Sequence, residues 1–229
     1  MPILPRRYKR LTTVLNRRMT DLTLLLEKVE KPHNLSAILR SCDAVGILEA
    51  HAIYSQNHIP TYNTTAQGSQ KWVKLNTYSN IENAIERLKR NGFKLYGTTL
   101  DKNSTDYRNC DFTGKTAFVL GAEKWGLSKE TMNLMDKSIF VPMRGMVQSL
   151  NVSVAAATLL FEALRQREEK NILPTNGESL SPELYKKIIF EWAYPEVANW
   201  CKQKDKEYPV LDENGKIMED LPRKEKFFC

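Results

Sequence analysis

Residues 139–162 read IFVPMRGMVQSLNVSVAAATLLFE. The apolar, β-branched start of this stretch predicts a buried strand, which ends at Pro142 because proline has no backbone N–H to donate. Residues 143–150 are then loop, and either Ser149 or Asn151 is suited to cap the helix that follows. That helix has almost no polar face in its sequence, so we expect it to be buried on most sides.

The polar loop between this strand and this helix has two interpretations. Gln148, Ser149 and Asn151 lie between two elements predicted to be buried. Backbone donors and acceptors held there but left unpaired would form a small-molecule site. An ordinary strand-to-helix turn would show the same pattern, and the spacing of the residues leaves both interpretations open.

The composition limits the possible classes of protein. The 229 residues are 41% hydrophobic and 27% charged, which is typical of one main globular domain. Lys and Arg outnumber Asp and Glu by 34 to 27, and this excess favours a polyanionic partner without identifying it. The four cysteines form no CxxC pair and lie away from the histidines, so we expect no metal site. No long apolar run or secretory leader is present, which predicts a cytoplasmic protein without a membrane segment.

Strands and helices alternate along the middle of the chain. Strands are predicted at 22–29, 49–54, 72–75, 93–99 and 116–120. Helices are predicted from Lys31–Asn34 to Gly46, over 81–90, and from Ser128 to Met135. This alternation predicts a parallel sheet with helices on its faces.

Arg40 stands apart from the apolar stripe of its predicted helix. Leu35, Ile38, Leu39 and Cys42 follow helical spacing, and Arg40 lies off their face. It therefore points toward solvent, a sheet edge or a ligand, and the pattern alone favours solvent. The loop at 121–128 has the GxxxxG spacing of a phosphate-binding loop without its lysine, and no GxGxxG occurs, so an NTPase or a Rossmann dehydrogenase is not expected.

The two ends of the chain differ from the middle in composition. Residues 4–18 predict a basic amphipathic helix. After Phe161 the sequence becomes charged, and a linker at 174–178 precedes a helix that Ser181 caps. In this segment aromatic side chains lie among lysines, where they either stack on bases or anchor the segment to its own core. We expect a basic helix at 1–19, a main domain at 20–163 and an extension at 164–229.

Three stretches together resemble the motifs of the SpoU family of RNA ribose 2′-O-methyltransferases. The first motif is NLSAILR at 34–40, the second is GAEKWGL at 121–127, and the third is IFVPMRGMVQSLNVSVA at 139–155. The resemblance covers roughly residues 20–163. KPHN at 31–34 and GMVQSLNVSV at 145–154 are similar to the tRNA guanosine-18 branch of the family in particular.

The resemblance implies a fold, an activity and partners. The expected fold is an α/β trefoil-knotted parallel sheet flanked by helices, with an N-terminal helix and a helical C-terminal extension. The expected activity is transfer of a methyl group from S-adenosylmethionine to the ribose 2′-OH of guanosine 18 in the D-loop of tRNA, by a homodimer. A ribosomal RNA methyltransferase and a catalytically silent RNA-binding module are the alternatives.

The resemblance also assigns roles to individual residues. Arg40 would act on the ribose hydroxyl, either through an RNA phosphate or by stabilising the developing alkoxide. The residues implied in catalysis are Arg40, Asn34, Glu123, Ser149 and Asn151. Those implied in cofactor binding are Thr98, Thr99, Leu100, Gly121, Val141, Met146, Ser149 and Leu150. Those expected to bind RNA are Arg7, Arg10, His33 and Arg40.

Overall fold

The computed structural model describes residues 3–54, 71–122 and 125–219. Its centre is a seven-stranded sheet in the order β3-β2-β1-β6-β4-β7-β5, in which every neighbouring pair is parallel. The strands are β1 (Leu22–Glu27), β2 (Glu49–Ile53), β3 (Lys74–Tyr78), β4 (Lys94–Thr98), β5 (Thr105–Asp106), β6 (Thr116–Leu120) and β7 (Lys137–Phe140). The predicted parallel sheet is confirmed.

The helices begin and end close to the residues that the sequence indicated. They are α1 (Pro5–Leu15), α2 (Pro32–Val45), α3 (Ile81–Arg90), α4 (Lys129–Asn133), α5 (Val152–Glu169), α6 (Pro182–Ala193) and α7 (Pro195–Gln203). Ser128 and Ser181 cap α4 and α6 with their side chains, as predicted. Gly46 ends α2 at a φ of 86°, a left-handed conformation that glycine adopts without steric cost.

The sheet separates two apolar layers because successive strand side chains point to opposite faces. Leu24 and Leu26 of β1 pack with residues of α2 and α5. Leu25, between them, packs with α3 on the other face, together with Leu127. The sequence of β1 is therefore apolar at every position from Leu24 to Leu26, which is typical of a strand covered on both faces.

The helix after the third motif differs from its expected environment. Asn151, rather than Ser149, is its cap, and its Oδ1 accepts a hydrogen bond from the Ser153 backbone N–H. Val152 and Leu159 are buried, but Val154 and Phe161 are each 49% exposed. The expectation that α5 is buried on most sides is wrong for the single chain, in which the helix packs on α2 and on the sheet and leaves another face exposed.

The charged residues after Phe161 continue α5 as far as Glu169. The chain divides into two compact units between Leu173 and Pro174, ten residues after the expected boundary at 163. Arg167 in the last turn is 1% exposed. Its guanidinium donates to the carboxylate of Asp21 and to the carbonyls of Phe112 and Gly114, so burial of this charge is compensated.

The first and last parts of the chain form the second unit, which consists of residues 3–18 and 174–219 in the described structure. Phe190 stacks on Tyr208 at 4.8 Å between ring centroids. Arg18, which the sequence placed in the basic amphipathic helix, follows the end of α1 and is buried, with its guanidinium carbon 5.4 Å from the centroid of the Trp192 ring. Aromatic side chains of this segment thus anchor the unit internally.

Candidate functional site

Three neighbouring strands of the sheet end beside one another. β6, β4 and β7 are adjacent, with Gly97 opposite Val119 and Thr98 opposite Ile139. Because all three are parallel, the loops that follow them meet at one edge of the sheet. Ligands of open α/β sheets bind at such carboxyl ends.

A cleft of about 450 Å³ lies at this edge. Its volume is within the range of roughly 300–1,000 Å³ that small-molecule sites occupy. Seven of the eight residues implied in cofactor binding line it, namely Thr98, Thr99, Leu100, Gly121, Val141, Ser149 and Leu150. The eighth, Met146, is fully exposed and is not part of the lining.

Apolar side chains that the sequence reasoning missed complete the cleft. Val152, Ala155 and Leu159 of α5 lie along it, and Met132 of α4 and Ile139 of β7 do so as well. The spacing i, i+3, i+7 places the three α5 residues on one helix face, so helical periodicity applied from the cap at Asn151 would have found them. No local signal marks Met132, because α4 is only five residues long.

The loop of the second motif folds back on itself. The Gly126 N–H donates to the Ala122 carbonyl at 2.8 Å, and Gly126 has a φ of +66°. A Cβ added to Gly121 would lie 2.1 Å from the carbonyl carbon of Gly126, so this close approach requires glycine. Glu123 and Lys124 lie outside the described residues, and the role assigned to Glu123 stays a prediction.

A hydrogen bond joins the first and third motifs. Asn34 is buried in the first turn of α2, and its Oδ1 accepts from Nδ2 of Asn151 at 3.1 Å. Asn151 also caps α5 through its Oδ1. Leu150 and Val152, on either side of Asn151, both line the cleft. The two asparagines that the resemblance placed in catalysis are therefore neighbours at the rim of the cleft.

The remaining candidate residues are exposed. Arg40 and His33 lie on the solvent side of α2, and Ser149 is exposed in the loop before α5. Arg7 and Arg10 are exposed on α1, in the other compact unit. The exposure of Arg40 agrees with its place off the apolar stripe.

A buried histidine lies on β2, outside this cleft. His51 is 4% exposed, and burial lowers its pKa to about 4, so its imidazole is neutral at pH 7. Its Nδ1 is 2.9 Å from the Tyr78 hydroxyl.

Among the residues that the structure describes, no group of three or more His, Cys, Asp or Glu side chains is arranged to hold a metal ion. No helix in the described part of the chain combines the length and apolar character needed to cross a bilayer.

Known proteins resemble this chain in sequence and in structure. The SpoU rRNA Methylase family matches residues 21–161, and the SpoU rRNA methylase C-terminal family matches residues 165–220. A tRNA (guanosine(18)-2′-O)-methyltransferase of Thermus thermophilus is 52% identical over 81% of this chain and 95% of its own length. The protein of the same description from Escherichia coli K12 is 41% identical over 94% of each chain.

Solved structures lead to the same family. The crystal structure of the A. aeolicus TrmH/SpoU tRNA modifying enzyme matches with a TM-score of 0.77 and 42% identity, covering 84% of this chain and 97% of the other. The SpoU methyltransferase AviRb from Streptomyces viridochromogenes, in complex with AdoMet, matches with a TM-score of 0.58 and 27% identity over 64% of this chain. The fold class that the resemblance implied, a trefoil-knotted parallel sheet flanked by helices, is confirmed.

Proposed function

The chain belongs to the SpoU methylase family, and we propose that it transfers a methyl group from S-adenosylmethionine to the ribose 2′-OH of guanosine 18 in tRNA. The observation that carries this proposal is the Asn34–Asn151 hydrogen bond at the rim of the cleft, which brings two motifs 117 residues apart to one place. Relatives described as guanosine-18 methyltransferases are 41–52% identical over most of the chain and support tRNA over ribosomal RNA as the substrate.

The cleft is suited to S-adenosylmethionine. Residues of the loops after β4, β6 and β7 line it, and Leu100, Leu120 and Leu159 supply an apolar wall. When bound, this cofactor supplies a methyl group on a sulfonium, which is already activated for transfer. The work left to the protein is to align the ribose hydroxyl with that methyl group and to help remove its proton.

Arg40 is the residue that we assign to the ribose hydroxyl. A guanidinium is a hydrogen-bond donor at neutral pH, so Arg40 acts either by stabilising the developing alkoxide or through an RNA phosphate that accepts the proton. Asn34 and Asn151 are joined by a hydrogen bond. Their proposed role is to orient either Arg40 or the ribose. Ser149 at the cleft and Glu123 in the second motif complete the proposed catalytic set.

The tRNA is held by positive charge. Arg7 and Arg10 on α1 and His33 at the start of α2 are exposed and are proposed to contact RNA phosphates. The net charge of +7 acts in the same direction over the whole molecule. The proposed location is the cytoplasm, where tRNA is processed.

We also propose that two copies of the chain form a homodimer through the exposed apolar face of α5. Val154 and Phe161 are half-exposed there, and Ala157 between them would let a second helix approach closely. Sedimentation should give twice the mass of one chain at micromolar concentration. Charged substitutions at both Val154 and Phe161 should yield monomers, and a wild-type monomer with full activity would refute the dimer.

The activity is tested with purified protein and labelled S-adenosylmethionine. A tRNA transcript with guanosine at position 18 should accept methyl groups, and the product should resist alkaline cleavage at that position. The matched control is the same tRNA with 2′-deoxyguanosine at position 18, which lacks the acceptor hydroxyl. Equal labelling of the two tRNAs, or transfer to ribosomal RNA alone, would contradict the proposal.

A further inference from the structure

Glu27 is a buried carboxylate that none of the three motifs contains. It is the last residue of β1 and is 4% exposed. Its Oε2 accepts a hydrogen bond from the backbone N–H of Ser128, 101 residues later, at 3.0 Å. We propose that Glu27 is a positioning residue that holds the loop of the second motif in its cofactor-binding conformation, an inference that rests on the function proposed above.

The hydrogen bond that Glu27 accepts lies where the loop of the second motif joins α4. Ser128 directly follows this loop and caps α4, accepting from the Thr131 backbone N–H at 3.2 Å. Thr131 is fully buried, and its Oγ1 accepts a hydrogen bond from the Ser128 hydroxyl. The backbone of Ser128 is therefore bound to Glu27 while its side chain is bound to the first turn of α4. A carboxylate bound to this amide therefore ties the exit of the loop to the end of β1.

The segment that Glu27 holds forms one wall of the cleft. Trp125, Gly126 and Leu127 precede Ser128, Met132 follows it, and all four line the cleft. Gly121 fixes the entrance of the loop through its close approach to Gly126. With the exit tied to Glu27, the loop is held at both ends before the cofactor arrives. Pre-ordering of this kind strengthens binding because less conformational entropy is lost on association.

A carboxylate at this position is a poor choice for stability alone. A buried charge loses its hydration, and the Ser128 N–H is the one hydrogen-bond donor to Glu27 in the part of the chain that the structure describes. An apolar side chain would avoid that loss but would leave the Ser128 amide without its acceptor. The proposed role of Glu27 therefore requires the length of its side chain and its acceptor oxygen.

Two substitutions distinguish the effect of side-chain length from the effect of charge at position 27. Glu27→Gln keeps the length and an acceptor oxygen but removes the charge, whereas Glu27→Asp keeps the charge and withdraws the carboxylate by roughly 1.5 Å. Calorimetric titration with S-adenosylmethionine should show about tenfold weaker binding for Glu27→Asp and less than about threefold for Glu27→Gln. The matched control, Glu30→Gln, removes an exposed carboxylate three residues later and should bind as wild type does.

Kinetics distinguish this role from general destabilisation. At saturating S-adenosylmethionine the single-turnover rate of Glu27→Asp should match wild type, with the KM for the cofactor raised and the KM for tRNA unchanged. Equal affinities in all variants, or weaker binding by Glu27→Gln than by Glu27→Asp, would overturn the proposal. Failure of wild type to bind the cofactor would instead refute the proposed function.

Hydrogen exchange gives a measurement that does not depend on the folding of a variant. In wild type without ligand, the Ser128 amide should exchange as slowly as the amides of β6, because it donates to a buried acceptor. Exchange as fast as that of exposed loop amides would show that the loop is not held by Glu27 and would overturn the proposal.

Discussion

The two ends of α5 carry polar side chains in opposite environments. At the first end, Asn151 caps the helix and binds Asn34 of α2 beside a cleft. Ser149, just before the cap, and Arg40, in the same motif as Asn34, are both exposed. At the other end, Arg167 is buried and donates to a carboxylate and to backbone carbonyls. The helix spans roughly 27 Å between these ends, so each environment is independent of the other.

The difference shows how polar groups of one fold are divided between binding and stability. Arg167 already has its acceptors within the chain, so it has little capacity left for a ligand. Arg40 is the same residue type on a helix of the same domain, but solvent surrounds it, and an RNA oxygen can take the place of that water. Substitutions at the first end should therefore change activity, and those at the second end should change stability.

The largest effect is expected for Arg40→Ala. Because the residue is exposed, the melting temperature and the affinity for S-adenosylmethionine should stay near wild type. Single-turnover methyl transfer at saturating tRNA should fall by roughly 10²- to 10⁴-fold, the range of lost acid–base assistance. Near-normal transfer would move the assignment to Asn34 and Asn151.

Arg40→Lys then distinguishes the two roles of the guanidinium. Lysine keeps the positive charge and loses the planar fork of donors. Substantial recovery of the rate would indicate electrostatic stabilisation of the alkoxide, and little recovery would indicate that the geometry of the guanidinium is required.

The second largest effect is expected at the buried end of the helix. Arg167→Met keeps an apolar chain of similar length but removes the donor that binds three backbone carbonyls and the Asp21 carboxylate. The free energy of unfolding should fall by about 3–5 kcal/mol, measured by urea denaturation. The control is Arg165→Met on the same helix, which removes exposed ion pairs to Glu162 and Glu169 and should cost less than about 1 kcal/mol. Equal losses in the two variants would contradict the distinction between the buried and exposed arginines.

Acid should destabilise the fold in part through the buried His51. The pKa of His51 is lowered from 6.5 to about 4 by burial, so between these pH values the unfolded chain binds a proton that the folded chain does not. The free energy of unfolding should therefore decrease as the pH falls through this window, by roughly 3 kcal/mol from this group. His51→Gln should flatten the dependence, whereas His33→Gln, at an exposed histidine, should leave it unchanged. Parallel pH profiles for His51→Gln and wild type would show that His51 titrates normally.

The smallest effect is expected at Asn151, where two substitutions distinguish its hydrogen bond to Asn34 from its cap of α5. Asn151→Asp keeps an oxygen to cap α5 but cannot donate to Asn34, whereas Asn151→Ala loses both bonds. Thermal unfolding should detect a loss of about 1 kcal/mol for Asn151→Ala and almost none for Asn151→Asp. Both variants should transfer methyl groups more slowly, by about tenfold. A wild-type rate for Asn151→Asp would show that the bond between the motifs is not needed.

The sequence predicted most of the elements because their signals are local. Alternating apolar strands and helices are enough to indicate a parallel sheet, and capping serines and Gly46 determine helix ends through bonds within a few residues. The residues around the cleft could be named in advance only from the resemblance of three stretches to a known family. The structure places seven of the eight implied cofactor contacts around one cleft.

Only the tertiary structure decided the partners of residues that are distant in sequence. The sequence turns charged after Phe161 and assigns this run to an extension outside the main domain, yet Arg167 within it is buried because Asp21, Phe112 and Gly114 converge on it from other parts of the chain. Glu27 lies at the end of an apolar strand with no local feature to mark it, and its partner is 101 residues away. A buried polar group is stable where the fold places a hydrogen-bond partner beside it. Sequence periodicity describes only neighbours within a few residues, so it cannot predict a partner that is distant in sequence.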